Sequence, residues 1–182
     1  MNDPAFFGYG SLVNLSTHDY QEPRPAVLSG WRRVWQSTTT REVAYLSVLP
    51  DDQSEIAGVV ARVPNADWAA LDEREAAYRR HDVTDQTKHN GLQTVTAVYQ
   101  VNQTLHAGSS VSHPILLSYL DVVVQGYLQM FGTAGVAAFF ETTDGWGPVL
   151  DDRSAPRYPR HQKLNKGETA LVDCHLQNVI RV

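Results

Sequence analysis

Two stretches of the sequence hold residues whose types and spacing suit chemistry. The first is Phe6-Phe7-Gly8-Tyr9-Gly10-Ser11-Leu12. Two aromatic residues suited to a buried strand run straight into Gly-Tyr-Gly-Ser, which reads as a strand ending in an abrupt turn. Successive backbone N–H groups in such a turn, with the Ser11 hydroxyl, form a concave set of donors for a carboxylate or carbonyl oxygen. A hairpin turn with no ligand accounts for this stretch equally well. The second is Glu75. If residues 67–78 are helical, Trp68, Leu71, Glu75 and Tyr78 fall on one narrow stripe. Trp68, Leu71 and Tyr78 belong on a core-facing stripe, and a carboxylate does not. Such a buried group is paired, protonated or functional, because an unpartnered ionised carboxylate is costly to desolvate. Desolvation raises its pKa toward neutrality, where a general acid/base works best. From the helix alone two readings stay open. One is a salt bridge to an arginine such as Arg32 or Arg33, or a side chain reaching out to solvent. The other is a general acid/base.

The elements that must position these residues are strands first and helices later. Strand-like runs occur at 6–7, 26–28, 33–38, 44–49, 56–63 and 94–101, the last with Val95, Ala97, Tyr99 and Val101 on one face. Turn residues at Ser29-Gly30, Pro50-Asp51-Asp52 and Asn90-Gly91 separate them. The interior Gly58 suggests a bulge or a close backbone approach. Ser112-His113-Pro114 opens an apolar helix over 115–131, Gly132 stops it, and Thr133 can cap a short helix through Phe140. Asn165 with Glu168 three residues on is capping-box-like and opens a last helix. Without βαβα alternation the expectation is an α+β fold with a helical C-terminal half, whose short strands are able to close into a small barrel.

The 182 residues, 42% hydrophobic and 19% charged, suit one domain spanning 1–182, with a β-rich core at about 5–101 and a helical extension at about 112–182. The net charge of −5, without a Lys/Arg run, argues against nucleic-acid or anionic-membrane partners. Met1-Asn2-Asp3-Pro4 lacks the basic and apolar regions of a signal peptide. The longest apolar run, around Val122-Val123-Val124, is too short to span a bilayer. A lone Cys174 excludes an intramolecular disulfide and fits a reducing, cytoplasmic compartment. It reads as a small core residue rather than a nucleophile. The seven histidines show no close ligand spacing, so no metal site and no cofactor are expected. Tyr119 and Tyr127, within the apolar helix, read as core or core-edge residues. Arg33 and Tyr158 are candidate substrate-rim residues. The irregular 144–162 segment holds Asp151-Asp152-Arg153, a charge cluster or a lid, and Arg157, Tyr158 and Arg160, residue types able to meet a substrate carboxylate.

Gly8-Tyr9-Gly10-Ser11-Leu12, then Gly30-Trp31-Arg32-Arg33, then Leu71-Asp72-Glu73-Arg74-Glu75-Ala76, together resemble the γ-glutamylcyclotransferase family, including its ChaC-like, glutathione-degrading branch. Members of that family carry a Tyr-Gly-Ser-Leu-type loop near the N-terminus and a single glutamate on a later helix, commonly after an arginine. The resemblance covers about residues 6–101. It implies a small mixed β-barrel flanked by helices. Ala76-Ala77-Tyr78 departs from the Gly-Gly-Tyr that often follows the glutamate in ChaC-like relatives, which leaves the substrate's leaving group open.

The implied reaction fits the residue types. The substrate's own α-amine attacks its γ-carbonyl, giving 5-oxoproline and a free amine, so neither an enzyme nucleophile nor a metal is needed. One group must accept the amine proton and return it to the leaving nitrogen, and Glu75 suits that role. Donors must bind substrate oxygens and steady the oxyanion, and Gly8, Tyr9, Gly10, Ser11 and Leu12 are the expected cradle. The expected partner is a small γ-glutamyl molecule, glutathione or a γ-glutamyl amino acid or amine, bound by a monomer or weak homodimer. The alternative is a non-catalytic γ-glutamyl or small-molecule binding module. A two-carboxylate glycosidase lacks an obvious second buried carboxylate.

Overall fold

The computed structural model describes residues 3–91, 94–108 and 110–180. Its sheet strands are β1 (Ala5–Gly8), β2 (Gln21–Ser37) and β3 (Ala44–Arg62). A short helix α1 (Ala69–Arg74) leads to β4 (Tyr78–Asp82), β5 (Thr87–His89) and β6 (Thr96–Val101). The second half holds β7 (Ile115–Leu116), α2 (Leu117–Glu141), β8 (Thr143–Asp144), β9 (Val149–Leu150) and α3 (Lys166–Ile180). The order across the mixed sheet is β4-β6-β1-β3-β2-β5, with β8 also on β2. Strand β1 is central, antiparallel to β3 and parallel to β6.

The α+β architecture and the helical second half agree with the sequence, but the barrel does not close. The sheet path ends at β4 and β5, and closure requires its two edges to meet. The four short strands expected over 26–63 are in fact two long ones. Strands β2 and β3 pair from Gln21↔Arg62 to Ser37↔Ala44, so residues that break isolated strands are tolerated within one continuous ladder. Ser29-Gly30 is therefore a register shift, not a turn. Residues 51–54 bulge opposite it, where the Asp51 carboxylate accepts from the Gln53 N–H (3.1 Å) and the Ser54 hydroxyl (2.6 Å).

The helix expected over 67–78 is only α1. The Asp67 carboxylate accepts the Ala69 N–H (3.1 Å), and the last helical bond runs from the Glu75 N–H to the Leu71 carbonyl (2.9 Å). Pairing of Tyr78 with Val101 across β4 and β6 overrides the helical periodicity. Leu71 still packs against Phe6, Leu12 and Tyr99, with Trp68 and Tyr78 alongside, so the apolar part of the stripe is buried as expected. Strand β6 keeps Ala97, Tyr99 and Val101 in the core, while Val95 lies outside it and is 58% exposed. Cys174 also departs from expectation, because it is exposed on α3.

Helix α2 breaks at Gly132 (φ 67°), where a stop was expected. By length and composition α2 is able to cross a membrane, which the sequence reading did not anticipate. Its unbroken part, 117–131, rises only about 22 Å, and its buried Leu120, Val123, Val124 and Tyr127 belong to the same core cluster as the sheet residues Phe7, Val48 and Val98. The capping box at α3 forms as expected: the Asn165 N–H donates to Glu168 (2.8 Å) and the Glu168 N–H to Asn165 (2.9 Å).

Gly58 is a close-approach position. A Cβ there would lie 2.4 Å from the Gly8 carbonyl oxygen and 2.5 Å from the Phe7 ring. Gly58→Ala should therefore force β1 away from β3 and cost about 1–3 kcal/mol, read as a lower urea midpoint with an unchanged slope.

Candidate active site

The turn after β1 is pinned from both sides. The Tyr9 hydroxyl donates to the Tyr99 carbonyl of β6 (2.6 Å), and the Tyr9 carbonyl lies 3.0 Å from the Tyr127 hydroxyl of α2. Just beyond, the fully buried Asn14 donates to the Val122 carbonyl (2.9 Å) and to Gln125 (3.0 Å), tying the segment to α2. Such contacts fix a loop whose own backbone has few regular partners. A Cβ on Gly10 would lie 2.6 Å from the Tyr119 hydroxyl, so glycine lets that phenol approach the loop backbone.

Glu75 ends α1 beside this loop, with its side chain only 15% exposed. Its ion-pair partner is the adjacent Arg74 (3.4 Å), and neither Arg32 nor Arg33 takes that place. Burial pushes the Glu75 carboxyl above its ordinary value, and the positive charges of Arg74 and Arg160 offset this only in part. Arg74 is itself committed to the loop: it donates to the Thr17 carbonyl (3.0 Å), the Thr17 hydroxyl (3.1 Å) and Ser11 Oγ (3.3 Å).

A narrow recess of about 30 Å³ is lined by Gly8, Tyr9, Gly10, Ser11, Leu12, Glu75, Tyr78, Tyr99 and Tyr119. It adjoins a wider cavity of about 230 Å³ that shares Ser11, Glu75, Tyr78 and Tyr119 and adds Arg157, Tyr158 and Arg160. The structure thus brings all five loop residues and Glu75 into one place. Larger clefts of about 830 and 620 Å³ lie elsewhere on the surface and include neither Glu75 nor the loop. The buried carboxylate, not the volume, marks the site.

Four phenols line the recess with Glu75, those of Tyr9, Tyr78, Tyr99 and Tyr119. Tyr9, Tyr78 and Tyr119 are all pushed to higher pKa by burial first, then by neighbouring phenols and the Glu75 charge, so they remain neutral hydroxyls. Tyr78 donates to the Leu46 carbonyl (2.9 Å). The sequence reading placed Tyr78 and Tyr119 in the core. The one signal it had for Tyr119 was a hydroxyl on an otherwise apolar helix face.

Of the two rim candidates, only Tyr158 lines the cavity, edge-on to Tyr119 with ring centroids 5.0 Å apart. Arg33 does not. It is 1% exposed and donates to the Ala57 carbonyl (3.0 Å), Thr143 (3.1 Å), Thr142 (2.5 Å) and the Tyr127 hydroxyl (3.0 Å). Alternation along β2 turns Arg33 inward, whereas its neighbour Arg32 pairs with Asp144 at the surface. The strap carrying Tyr158 is anchored, because the Asp152 carboxylate accepts from the Ser118 N–H (2.7 Å), the Ser118 hydroxyl (2.6 Å) and the Arg157 N–H (2.9 Å). Arg153 then clamps Asp121 (2.7 Å) and Asp173 (2.8 Å) on the two long helices.

A family model described as ChaC-like protein matches residues 5–114. No curated protein sequence is matched. Among solved structures, a protein described as gamma-glutamyl cyclotransferase superposes with a TM-score of 0.62 at 14% identity, covering 95% of this chain and 99% of that one. YkqA from Bacillus subtilis superposes with a TM-score of 0.60 at 21% identity and covers 75% of this chain, which spans 52% of YkqA's length. The uncharacterized protein loc79017 from Homo sapiens gives a TM-score of 0.59 at 14% identity, covering 93% and 97% of the two chains. At these identities the likeness is one of fold.

Two outcomes follow from the site's energetics. Because folding raises the Glu75 pKa above its ordinary 4.5, the folded state holds its proton more tightly than the unfolded one. Stability therefore falls as pH rises from 4.5 through the folded-state pKa. Glu75→Gln should match the wild type in the acid and exceed it in melting temperature at neutral pH. Asp152→Ala, which removes the acceptor at the start of α2, should cost about 1–2 kcal/mol and speed limited proteolysis within 151–160.

Proposed function

The chain belongs to the ChaC-like protein family, and from that premise we propose that it is a γ-glutamylcyclotransferase. It cyclises a γ-glutamyl amide, glutathione or another γ-glutamyl compound, to 5-oxoproline and a free amine. The observation that carries this reading is a single carboxyl, raised by burial, facing a pinned glycine-rich loop across one small recess. A structural salt bridge would hold Glu75 at or below its ordinary pKa, whereas burial moves it the other way.

In the proposed reaction the substrate's γ-glutamyl group lies in the recess, its oxygens against the backbone donors of Tyr9–Leu12 and the Ser11 hydroxyl. Glu75, ionised, takes a proton from the α-amine as that nitrogen bonds to the γ-carbonyl carbon. The carbonyl oxygen gains charge in the tetrahedral intermediate, where preorganised donors are most effective. When the bond from carbon to the leaving nitrogen breaks, Glu75 returns the proton to that nitrogen. Atoms and charge balance without water, metal or an enzyme nucleophile. The recess also holds the flexible γ-glutamyl chain in its ring-closing geometry, which removes an entropic part of the barrier. Neutral Tyr78 and Tyr119 wall the recess without adding a second charge.

Tyr158, which lines the cavity beside Tyr119, is the rim residue in this reading, and Arg33 supports the loop from behind. The lone exposed thiol suits a reducing, cytoplasmic setting, and the enzyme works on small molecules as a monomer or weak homodimer. Incubation with glutathione and a panel of γ-glutamyl amino acids and amines should release 5-oxoproline; folded protein that releases none from any of them refutes the activity. Glu75→Gln should lower kcat about 10²–10⁴-fold with the fold retained. In the wild type, kcat/KM should rise with pH through the raised Glu75 pKa, as befits a base that must first be ionised.

A further inference from the structure

Of the phenols at the recess, three have committed their protons to the protein. The Tyr9 hydroxyl donates to the Tyr99 carbonyl (2.6 Å), Tyr78 to the Leu46 carbonyl (2.9 Å) and Tyr99 to the Asp72 carboxylate (2.6 Å). Tyr119 differs. Among the described residues no carbonyl, carboxylate or hydroxyl accepts its O–H, although it lines the same recess. Its oxygen, by contrast, is engaged by the Ser11 backbone. That contact favours the ionised phenol against the effect of burial, so the Ser11 N–H is its donor. A hydroxyl whose oxygen already accepts a hydrogen bond is polarised into a stronger donor.

The ring is held in place from several sides. Tyr119 stands in the first turn of α2, whose start the Asp152 carboxylate secures through the Ser118 N–H and hydroxyl. Tyr158 meets the ring edge-on at 5.0 Å and Trp35 at 5.9 Å. Tyr119 is also one of five residues, with Ser11, Leu46, Glu75 and Tyr78, that line both the recess and the wider cavity. With the γ-glutamyl group in the recess and the leaving group in the cavity, the bond that breaks lies at this junction. Glu75 supplies the carboxyl there, and Tyr119 the one phenolic proton not committed elsewhere. Tyr119 lies beyond residues 5–114, so the family match carries no residue to its position.

We propose that Tyr119 is a second catalytic residue of this site, its O–H donating to the γ-carbonyl oxygen as the α-amine attacks. The inference rests on the cyclotransferase reading and adds a side-chain donor to the backbone donors of the loop. The proton stays on Tyr119 throughout. As the new carbon–nitrogen bond forms, the carbonyl π electrons move onto the oxygen that the phenol faces. They return when the bond to the leaving nitrogen breaks and the carbonyl of 5-oxoproline is restored. Glu75 alone carries the proton from the amine to the leaving nitrogen. Burial keeps the phenol neutral, so it adds a donor without the positive charge that would lower the Glu75 carboxyl.

The test uses the intact chain and Tyr119→Phe, which removes one oxygen atom and keeps the ring contacts. Whichever of glutathione and γ-glutamylglycine the wild type turns over faster serves as substrate. The variant, checked by far-ultraviolet circular dichroism, should lose about 10²–10³-fold in kcat, as on removal of one oxyanion donor. KM should change little, because the contact strengthens only as charge develops. The acid limb of kcat/KM, set by Glu75, should stay where the wild type has it. Sulfur in place of the γ-carbonyl oxygen is a poorer acceptor and should slow the wild type more than the variant, which has already lost that contact. A 3-fluorotyrosine at position 119 keeps the hydroxyl and the shape and should retain turnover, a second measure if the phenylalanine protein folds poorly. Wild-type kcat in Tyr119→Phe overturns the role and leaves the cyclotransferase activity standing. A lost rate with a shifted acid limb also overturns it, because Tyr119 would then act through Glu75. An undiminished sulfur effect in the variant, or loss of turnover with fluorotyrosine, does the same. Wild-type protein that forms no 5-oxoproline from either substrate removes the reaction and the role together.

Discussion

The site depends on one constraint: a carboxylate must lose most of its water without being neutralised by the arginine beside it. Arg74 achieves this by being shared. Its guanidinium spends its hydrogen bonds on Thr17 and Ser11, and lies 3.4 Å from Glu75 rather than in a tight fork. A bidentate pair would lower the carboxyl's pKa. The same arginine thus ties the loop to α1 and to Glu75.

A second buried cation supports the loop from behind. Arg33 is enclosed by hydroxyls and a carbonyl rather than by a carboxylate, with its guanidinium against the Tyr127 and Phe139 rings at 5.4 and 5.1 Å. The Tyr127 hydroxyl, polarised by that charge, reaches toward the Tyr9 and Ala57 carbonyls. Desolvating a guanidinium is costly, and its offset here comes from oriented dipoles and aromatic faces. The recess therefore rests on a hydrogen-bonded floor.

The sequence made the centre of the site legible and left its walls obscure, for physical reasons. Glu75 stood out because a charge on an apolar stripe is anomalous in any fold, and the glycine loop because its dipeptides carry turn chemistry. Tyr78 and Tyr119 were hidden, since a buried tyrosine looks alike in sequence whether its hydroxyl meets a backbone carbonyl or a cavity. Arg33 misled because its direction depends on strand parity, and two neighbouring arginines on β2 take opposite faces. The helix stop at Gly132 and the cap at Asn165 were legible because both are local. The open sheet and the merging of short strands into β2 and β3 were not, since long-range pairing decides them.

The parallel pairing of β1 with β6 has a consequence for how the molecule comes into being. It joins Ala5 to Thr96, and a parallel neighbour cannot be reached through a tight hairpin. The first strand must wait for some ninety residues of later chain, then for α2 and the Tyr158 strap, before the pocket is complete. Folding that closes such large loops is slow relative to local helix formation. During synthesis the glycine loop is made more than a hundred residues before Tyr119 and Tyr158, the later residues that complete its recess and the adjoining cavity. The candidate site is thus completed late, although its most recognisable part is made before the residues that wall it.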